Sequence, residues 1–155
     1  MDNLNIQKHK KSAWYLSIAG LFPFIIIAGA MLILGRENTA IDPLSTMFKT
    51  YSAVIITFIG GIRWGHIIHE DNDRVQTGSL IMSVLPAIVA WLILLVPQEY
   101  EAIAILILLV GFCAHGAWDS ISAYKQNLPH WFGQLRIRIT FIVAICHIAV
   151  FTVIA

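Results

Sequence analysis

Five long apolar stretches limit what this chain of 155 residues can fold into more than any other feature. They lie at about residues 13–34, 45–64, 78–96, 102–122 and 135–155. Each comes close to the roughly 20 apolar residues that a helix needs to cross the hydrocarbon core of a bilayer. Because lipid cannot satisfy the hydrogen bonds of an open backbone, each stretch is expected to be helical. The sequence therefore predicts an all-α membrane protein, a bundle of five transmembrane helices.

The composition agrees with a membrane protein and argues against nucleic-acid binding. Charged residues make up 12% of the chain, against roughly 25% in soluble domains. The net charge is +1, and the basic run His9-Lys10-Lys11 is too short to follow a nucleic-acid backbone. The connections between the stretches are too short to form a separate soluble domain. We therefore expect residues 13–155 to form a single transmembrane domain, preceded by a cytoplasmic N-terminal tail of residues 1–12.

Lysine and arginine gather on alternate sides of the apolar stretches and so predict an orientation. If the N-terminus is cytoplasmic, that side collects Lys8, Lys10, Lys11, Arg63, Arg74, Lys125, Arg136 and Arg138. The other side keeps Arg36 and Lys49. Basic residues in short loops favour the cytoplasmic side of a membrane. We expect the N-terminus inside, the C-terminus outside, and the protein in the bacterial cytoplasmic (inner) membrane as a multi-pass protein.

A cleaved signal peptide is the alternative interpretation of the first stretch. Basic residues at 8–11 precede it, and Ala28-Gly29-Ala30 offers small residues for cleavage. The apolar region of a signal peptide has roughly 7–15 residues, however, and this one continues for about 20. The length favours a retained transmembrane helix.

Ionisable residues near the basic ends of the second, fourth and fifth stretches form a candidate functional cluster. They are Arg63, His66, His115, Asp119, Arg136 and Arg138. Arg63 is either an anchor at the headgroups or a clamp for an anion, helped by His66 one turn away. His115 and Asp119 are also one turn apart, so they can hydrogen-bond each other. Asp119 needs a partner at this depth, which predicts either an ion pair that locks helix 4 to helix 5 or a proton or substrate site.

Two further patterns concern helix contacts and side-chain direction. Gly60, Gly61 and Gly65 would allow another helix to approach closely, and they are candidate helix-contact residues. Arg136 and Arg138 project about 200° apart on a helix. One of the two arginines is therefore expected to face inward while the other reaches the headgroups.

Cysteine and histidine at mid-depth raise the question of a metal or haem site. The candidates are Cys113, His115, Cys146 and His147. Thiolate and imidazole suit zinc or copper, and histidine suits haem. Cys113 and His115 point about 200° apart, however, which prevents both from binding one metal. We therefore expect no metal and no cofactor. The chain also lacks the catalytic motifs G-x-S-x-G, H-E-x-x-H and the P-loop, which disfavours an enzyme.

Several of these motifs together resemble a known family. They are Gly60-Gly61-Ile62-Arg63-Trp64-Gly65, Ser83-Val84-Leu85-Pro86, Asp119 and Leu135-Arg136-Ile137-Arg138-Ile139-Thr140. The chain is similar in them to small bacterial multi-helix membrane proteins catalogued as a domain of unknown function. That family is in turn similar to a mitochondrial transmembrane protein of unassigned activity. The resemblance implies a multi-helix inner-membrane protein and brings no substrate, cofactor or catalytic residue with it.

The sequence leaves three functions open. The first is an accessory or assembly subunit that works with another membrane protein or as a homo-oligomer in the lipid bilayer, since five helices are expected to enclose little cavity. The second is a small proton-coupled transporter or carrier that uses Arg63, His115 and Asp119. The third is a haem- or metal-binding redox protein.

Overall fold

A computed structural model describes residues 3–69, 77–125 and 128–155 of the chain. Five α-helices make up nearly all of these residues, and no strand occurs among them. They are α1 (Asn3–Leu34), α2 (Ile41–His69), α3 (Thr77–Leu94), α4 (Glu101–Tyr124) and α5 (His130–Ile154), with a single 3-10 turn at Gln98–Tyr100 before α4. All five are long and apolar enough to cross a membrane, which confirms the predicted five-helix architecture.

The outer surface of the bundle is apolar, as expected for contact with lipid. Ile33 and Val110 are well exposed, as are Phe58, Trp91 and Phe141 on three other helices. A soluble protein of this size could not leave so many large apolar side chains in water. In a bilayer these side chains meet hydrocarbon instead, and the buried positions are left for polar groups and close helix contacts.

The contacts between helices define how they are arranged in the bundle. α4 packs most extensively on α5, and α2 on α3, while α1 lies against α5 and α2. α3 contacts mainly α2, so it lies at the edge of the bundle. At one end of the bundle α1 and α5 begin and α2 and α4 end, and we call this the basic end. We call the other the opposite end.

An aromatic cluster fills the middle of the bundle. The Phe24 ring lies 5.4 Å from Phe48 and 5.9 Å from Phe112 between centroids, in edge-to-face arrangements. His147 is fully buried between these three rings. The cluster ties α1, α2, α4 and α5 together at mid-depth and separates the two ends of the bundle.

Candidate functional site

A buried carboxylate between two arginines is the central feature of the basic end. Asp119 Oδ1 lies 3.0 Å from Arg63 Nη2, and Asp119 Oδ2 accepts a hydrogen bond of 2.7 Å from Arg136 Nε. The three residues are 3%, 6% and 9% exposed for Asp119, Arg63 and Arg136. Each lies about 7 to 9 Å inside the end of its helix, at 1.5 Å of rise per residue. We call these three residues the basic-end triad. It joins α2, α4 and α5 and includes the predicted ion pair between α4 and α5.

Arg63 is held by α4 at further points. Its Nη2 donates a 2.9 Å hydrogen bond to Ser122 Oγ, and its guanidinium carbon lies 4.6 Å from the centre of the Trp118 ring. Charge-assisted hydrogen bonds and stacking on an aromatic face are the contacts that guanidinium makes best. With Asp119, these contacts make Arg63 the tie between α2 and α4.

Arg136 is bound less completely than Arg63. Its Nε is occupied by Asp119, but its Nη2 has no hydrogen-bond partner among the described residues although it is buried. The hydroxyl of Thr140, one turn deeper on α5, likewise finds no partner within these residues. In the triad, two guanidinium groups share one carboxylate.

A cavity of about 550 Å³ opens directly beside the triad. Arg63, Asp119 and Arg136 line it, and most of its remaining wall is apolar and comes from α1, α2 and α5. Along α1 it extends from Ala13 to Phe24, which is about 16 Å of helix. The expectation that five helices enclose little cavity is therefore wrong.

The cavity exists because the first part of α1 packs loosely. Leu16 is 73% exposed and Ser17 is only half-buried, whereas the buried positions of this helix begin at Leu21. The sequence does not predict this change in packing, because the stretch is apolar both before and after Leu21. The part of α1 before Leu21 therefore lines the cavity and does not pack closely against the other helices.

The other predicted members of the polar cluster occupy different places. His66 lines the cavity together with Arg63. His115 is buried and stacks on Trp118, with ring centroids 6.2 Å apart, but no hydrogen bond joins it to Asp119. The bond that the spacing allowed is not formed, because the His115 ring lies against Trp118 instead, with its Nδ1 without a partner among the described residues. Arg138 is exposed and lies over the Trp14 ring at 5.5 Å, so it belongs to the outer surface, as the 200° separation from Arg136 allows.

The mid-depth cysteines and histidines do not converge. Cys113 is exposed, Cys146 is buried, and the Nδ1–H of His147 donates to the Val143 carbonyl at 2.8 Å. Within the described ranges, no three His, Cys, Asp or Glu side chains lie close enough together to hold a metal ion. The metal candidates, including His115, therefore do not share one site in this structure.

The three glycines on α2 have different surroundings. A Cβ at Gly60 would lie 2.5 Å from the Ser83 carbonyl oxygen, so Gly60 is where α3 approaches α2. A Cβ at Gly61 or Gly65 would meet nothing within 4 Å, and both residues are exposed. The contact predicted for Gly60 is formed inside the chain. The contacts predicted for Gly61 and Gly65 stay predictions for a second molecule.

A second buried ion pair, at the opposite end, was missed by the sequence reasoning. Lys49 Nζ lies 2.5 Å from Glu101 Oε2 and also donates to the Val96 carbonyl at 3.3 Å. The fourth apolar stretch, about 102–122, leaves Glu101 outside the predicted helix, but Glu101 is the first residue of α4 and is buried. The signal was available: Lys49 falls inside an apolar stretch, and an ionised group there needs a partner. We call this pair the opposite-end pair.

The fold and site define a class of protein, an integral membrane protein of five helices with buried charges at both ends. The chain belongs to a family described as protein of unknown function DUF3429, whose model matches residues 9–152. It is 32% identical over 132 residues to transmembrane protein 69 of Xenopus tropicalis and 31% identical over 134 residues to transmembrane protein 69 of Mus musculus. These alignments cover 84% and 85% of this chain.

The family and its relatives agree with the fold and assign no activity. The chain spans about half the length of the curated relatives that it matches, 49% and 52%. No solved structure matches the chain. A hypothesis about function therefore has to be built from the geometry of the site.

Proposed function

We propose that this protein binds a hydrophobic anion in the cavity at its basic end and acts as a small carrier-type membrane protein. The observation that carries the proposal is that two arginines, Arg63 and Arg136, line a largely apolar cavity of about 550 Å³. Small-molecule sites usually have volumes of roughly 300–1,000 Å³, apolar walls and a few convergent polar groups. This cavity has all three properties.

The ligand would match both parts of the cavity wall. An anionic group would pair with the guanidinium at the basic end, and an apolar tail would fill the space between α1, α2 and α5. A hydrophilic anion would pair with the guanidinium but leave the apolar wall without contacts. The combination therefore supports an amphiphile that enters from the membrane.

The distribution of basic residues supports a cytoplasmic location for this site. Lys10, Lys11, Lys125 and Arg138 surround the basic end, and Arg36 lies at the opposite end. By the preference of basic loops for the inside, the cavity would face the cytoplasmic leaflet of a bacterial inner membrane. Coupling to protons, which the sequence suggested through His115, stays a prediction.

The proposal is tested by identifying what the purified protein carries. Ser17 lines the cavity on α1, so Ser17→Phe should fill part of it, whereas Ser12→Phe makes the same change on the exposed outer part of that helix. Native mass spectrometry and extraction should find an anionic amphiphile on the wild type and on Ser12→Phe. Ser17→Phe should carry much less. Equal occupancy in all three, or none in any after reconstitution with candidate lipids, contradicts the proposal.

A second candidate function, an assembly or accessory subunit, is favoured by one observation. Gly61 and Gly65 are spaced as in the helix-dimer motif G-x-x-x-G and lie exposed on α2. Gly65→Leu should then release a partner or a second copy that copurifies with the wild type. Gly29→Leu, at a glycine of α1 where an added Cβ also meets nothing, is the control. A wild-type protein that purifies as a monomer without stoichiometric partners argues against this candidate.

A further inference from the structure

Arg138 is an exposed arginine inside a helix that is long and apolar enough to cross a membrane. It lies about 12 Å beyond His130, the first residue of α5, at 1.5 Å of rise per residue. Within the described ranges, its guanidinium forms no hydrogen bond and no ion pair. An arginine that faces lipid is costly unless its charge reaches the headgroups. The position of Arg138 therefore favours an anion at the membrane surface as its partner.

The direction of α5 brings this charge toward the headgroups. Side chains on a helix are tilted toward its N-terminus, and α5 begins at the basic end. The guanidinium carbon of Arg138 lies 5.5 Å from the centre of the Trp14 ring on α1. Trp14 stands at the start of the apolar stretch of α1, and tryptophan favours the boundary between headgroups and hydrocarbon. The contact with Trp14 therefore places the guanidinium at the level of the headgroups.

Two lysines extend this positive surface along α1. Lys10 and Lys11 are exposed and come four and three residues before Trp14, so they lie on the same side of the helix as Trp14. We call Lys10, Lys11, Trp14 and Arg138 the α1–α5 patch. Because α1 and α5 pack against each other and both begin at the basic end, the patch is one continuous surface there.

The acidic residues that the structure describes do not neutralise this patch. Asp119 lies at the basic end, but it is buried and held by Arg63 and Arg136. The other described acidic residues lie at the opposite end, and they are Glu37, Asp42, Glu99 and Glu101. Among the described residues, the three cations of the patch therefore face the membrane surface without a carboxylate beside them.

The patch lies outside the cavity and continues into an apolar surface. Neither Trp14 nor Arg138 belongs to the cavity wall. One turn deeper in the membrane, Ile18 follows Trp14 on α1 and Phe141 follows Arg138 on α5, and both are exposed. A molecule with an anionic group at the patch can therefore lay an apolar chain along Ile18 and Phe141.

We infer that the α1–α5 patch binds an anionic phospholipid of the leaflet at the basic end, with its phosphate beside Arg138 and its acyl chains along Ile18 and Phe141. Guanidinium binds phosphate through charge-assisted hydrogen bonds, and basic residues beside a membrane helix attract anionic lipids. A zwitterionic lipid has the same phosphate but adds a positive group, which Lys10 and Lys11 repel. This lipid site is separate from the cavity and does not depend on the proposed function.

The lipid class is tested with two phospholipids that share their acyl chains and differ in headgroup. The full chain in detergent is titrated with phosphatidylglycerol or phosphatidylcholine, and native mass spectrometry counts the lipids bound. Each basic residue near a membrane surface contributes about fivefold to the affinity for an anionic lipid. The first phosphatidylglycerol should therefore bind about 10- to 100-fold more tightly than phosphatidylcholine.

Four variants locate the site. Arg138→Gln should weaken phosphatidylglycerol binding about fivefold, and the triple variant Lys10→Gln, Lys11→Gln, Arg138→Gln about 100-fold. Phosphatidylcholine binding should stay the same in both. Lys125→Gln removes the same charge from an exposed position at the end of α4 and should keep the full preference. Ser17→Phe changes the cavity wall and should also keep it.

Each other outcome overturns the inference in a recognisable way. Equal binding of the two lipids by the wild type, or an unchanged preference in the triple variant, shows that the patch does not select an anionic lipid. A loss in Lys125→Gln as large as that in Arg138→Gln shows that the whole basic end attracts anions and that the patch is no separate site. A preference lost in Ser17→Phe and kept in Arg138→Gln places the lipid in the cavity, which overturns the patch and supports the proposed function.

Discussion

At the basic end, Asp119 lies between Arg63 and Arg136 on the wall of a cavity, whereas at the opposite end Glu101 faces Lys49 alone. In the first group two guanidinium groups share one carboxylate, and in the second one ammonium group faces one carboxylate. None of the cavity wall comes from the opposite-end pair. Lys49 and Glu101 join α2 to α4. The basic-end triad joins helices and also lines a cavity, where we propose that an anionic ligand binds.

The largest expected loss of stability comes from disrupting the basic-end triad, which has more ion-pair contacts than the opposite-end pair. Asp119→Asn removes the carboxylate from between two buried guanidinium groups, and it should lower the free energy of unfolding by about 5 kcal/mol, the upper end for broken buried pairs. Denaturant unfolding in detergent measures this. A loss below about 1 kcal/mol would mean that the triad is solvated and that the contrast between the two ends is wrong.

Breaking the opposite-end pair should cost somewhat less. Glu101→Gln leaves one buried lysine and should cost about 3 kcal/mol. The double variant Lys49→Met with Glu101→Leu removes both charges, and replacing a buried pair by apolar residues is often neutral. Recovery of most of the lost stability in the double variant would show that this pair is structural. A double variant as unstable as Glu101→Gln would contradict that.

Ligand binding should separate the two ends. At a hundredfold excess over its dissociation constant, a hydrophobic anion that binds in the cavity should stabilise the wild type by about 2.7 kcal/mol. Glu101→Gln should keep this increment, because residues 49 and 63 lie about 21 Å apart along α2 and distant sites act independently. Arg136→Gln should lose most of it. Equal loss in both variants would show that the ends are coupled.

The smallest expected effect is on the exposed arginine of α5. Arg138→Gln should change the free energy of unfolding by no more than about 0.5 kcal/mol, because Arg138 makes only an exposed contact over the Trp14 ring. The same unfolding measurement applies. A loss comparable with that of Arg136→Gln would mean that the two arginines do not face opposite ways.

The five helices and most of the triad could be predicted from the sequence because both depend on local rules. Apolar runs of sufficient length must be helical in lipid, and Asp119 inside such a run must find a cation. The sequence could predict only in part which of Arg63, Arg136 and Arg138 pair with Asp119. The 200° spacing put one arginine of α5 inside, but only the packed helices show that both Arg63 and Arg136 reach the same carboxylate.

The cavity and the opposite-end pair could not be predicted from the sequence in the same way. The cavity depends on how closely α1 lies against α2 and α5, and an evenly apolar helix carries no pattern that specifies this. Glu101 was misplaced because a charged residue at the edge of an apolar stretch is assigned to the loop by its polarity. The helix itself continues as long as its backbone bonds and the Lys49 contact stabilise it.

The most direct test of the central claim is to locate a bound chain. A long-chain anionic amphiphile with a diazirine at its tail is photolysed on the protein in nanodiscs, and labelled peptides are identified by mass spectrometry. Labelling should concentrate at Phe24, Phe112 and Val143, which line the deep part of the cavity, and should fall sharply in Arg136→Gln. Labelling confined to lipid-exposed residues such as Val110 and Phe141, and unchanged in Arg136→Gln, would contradict the account.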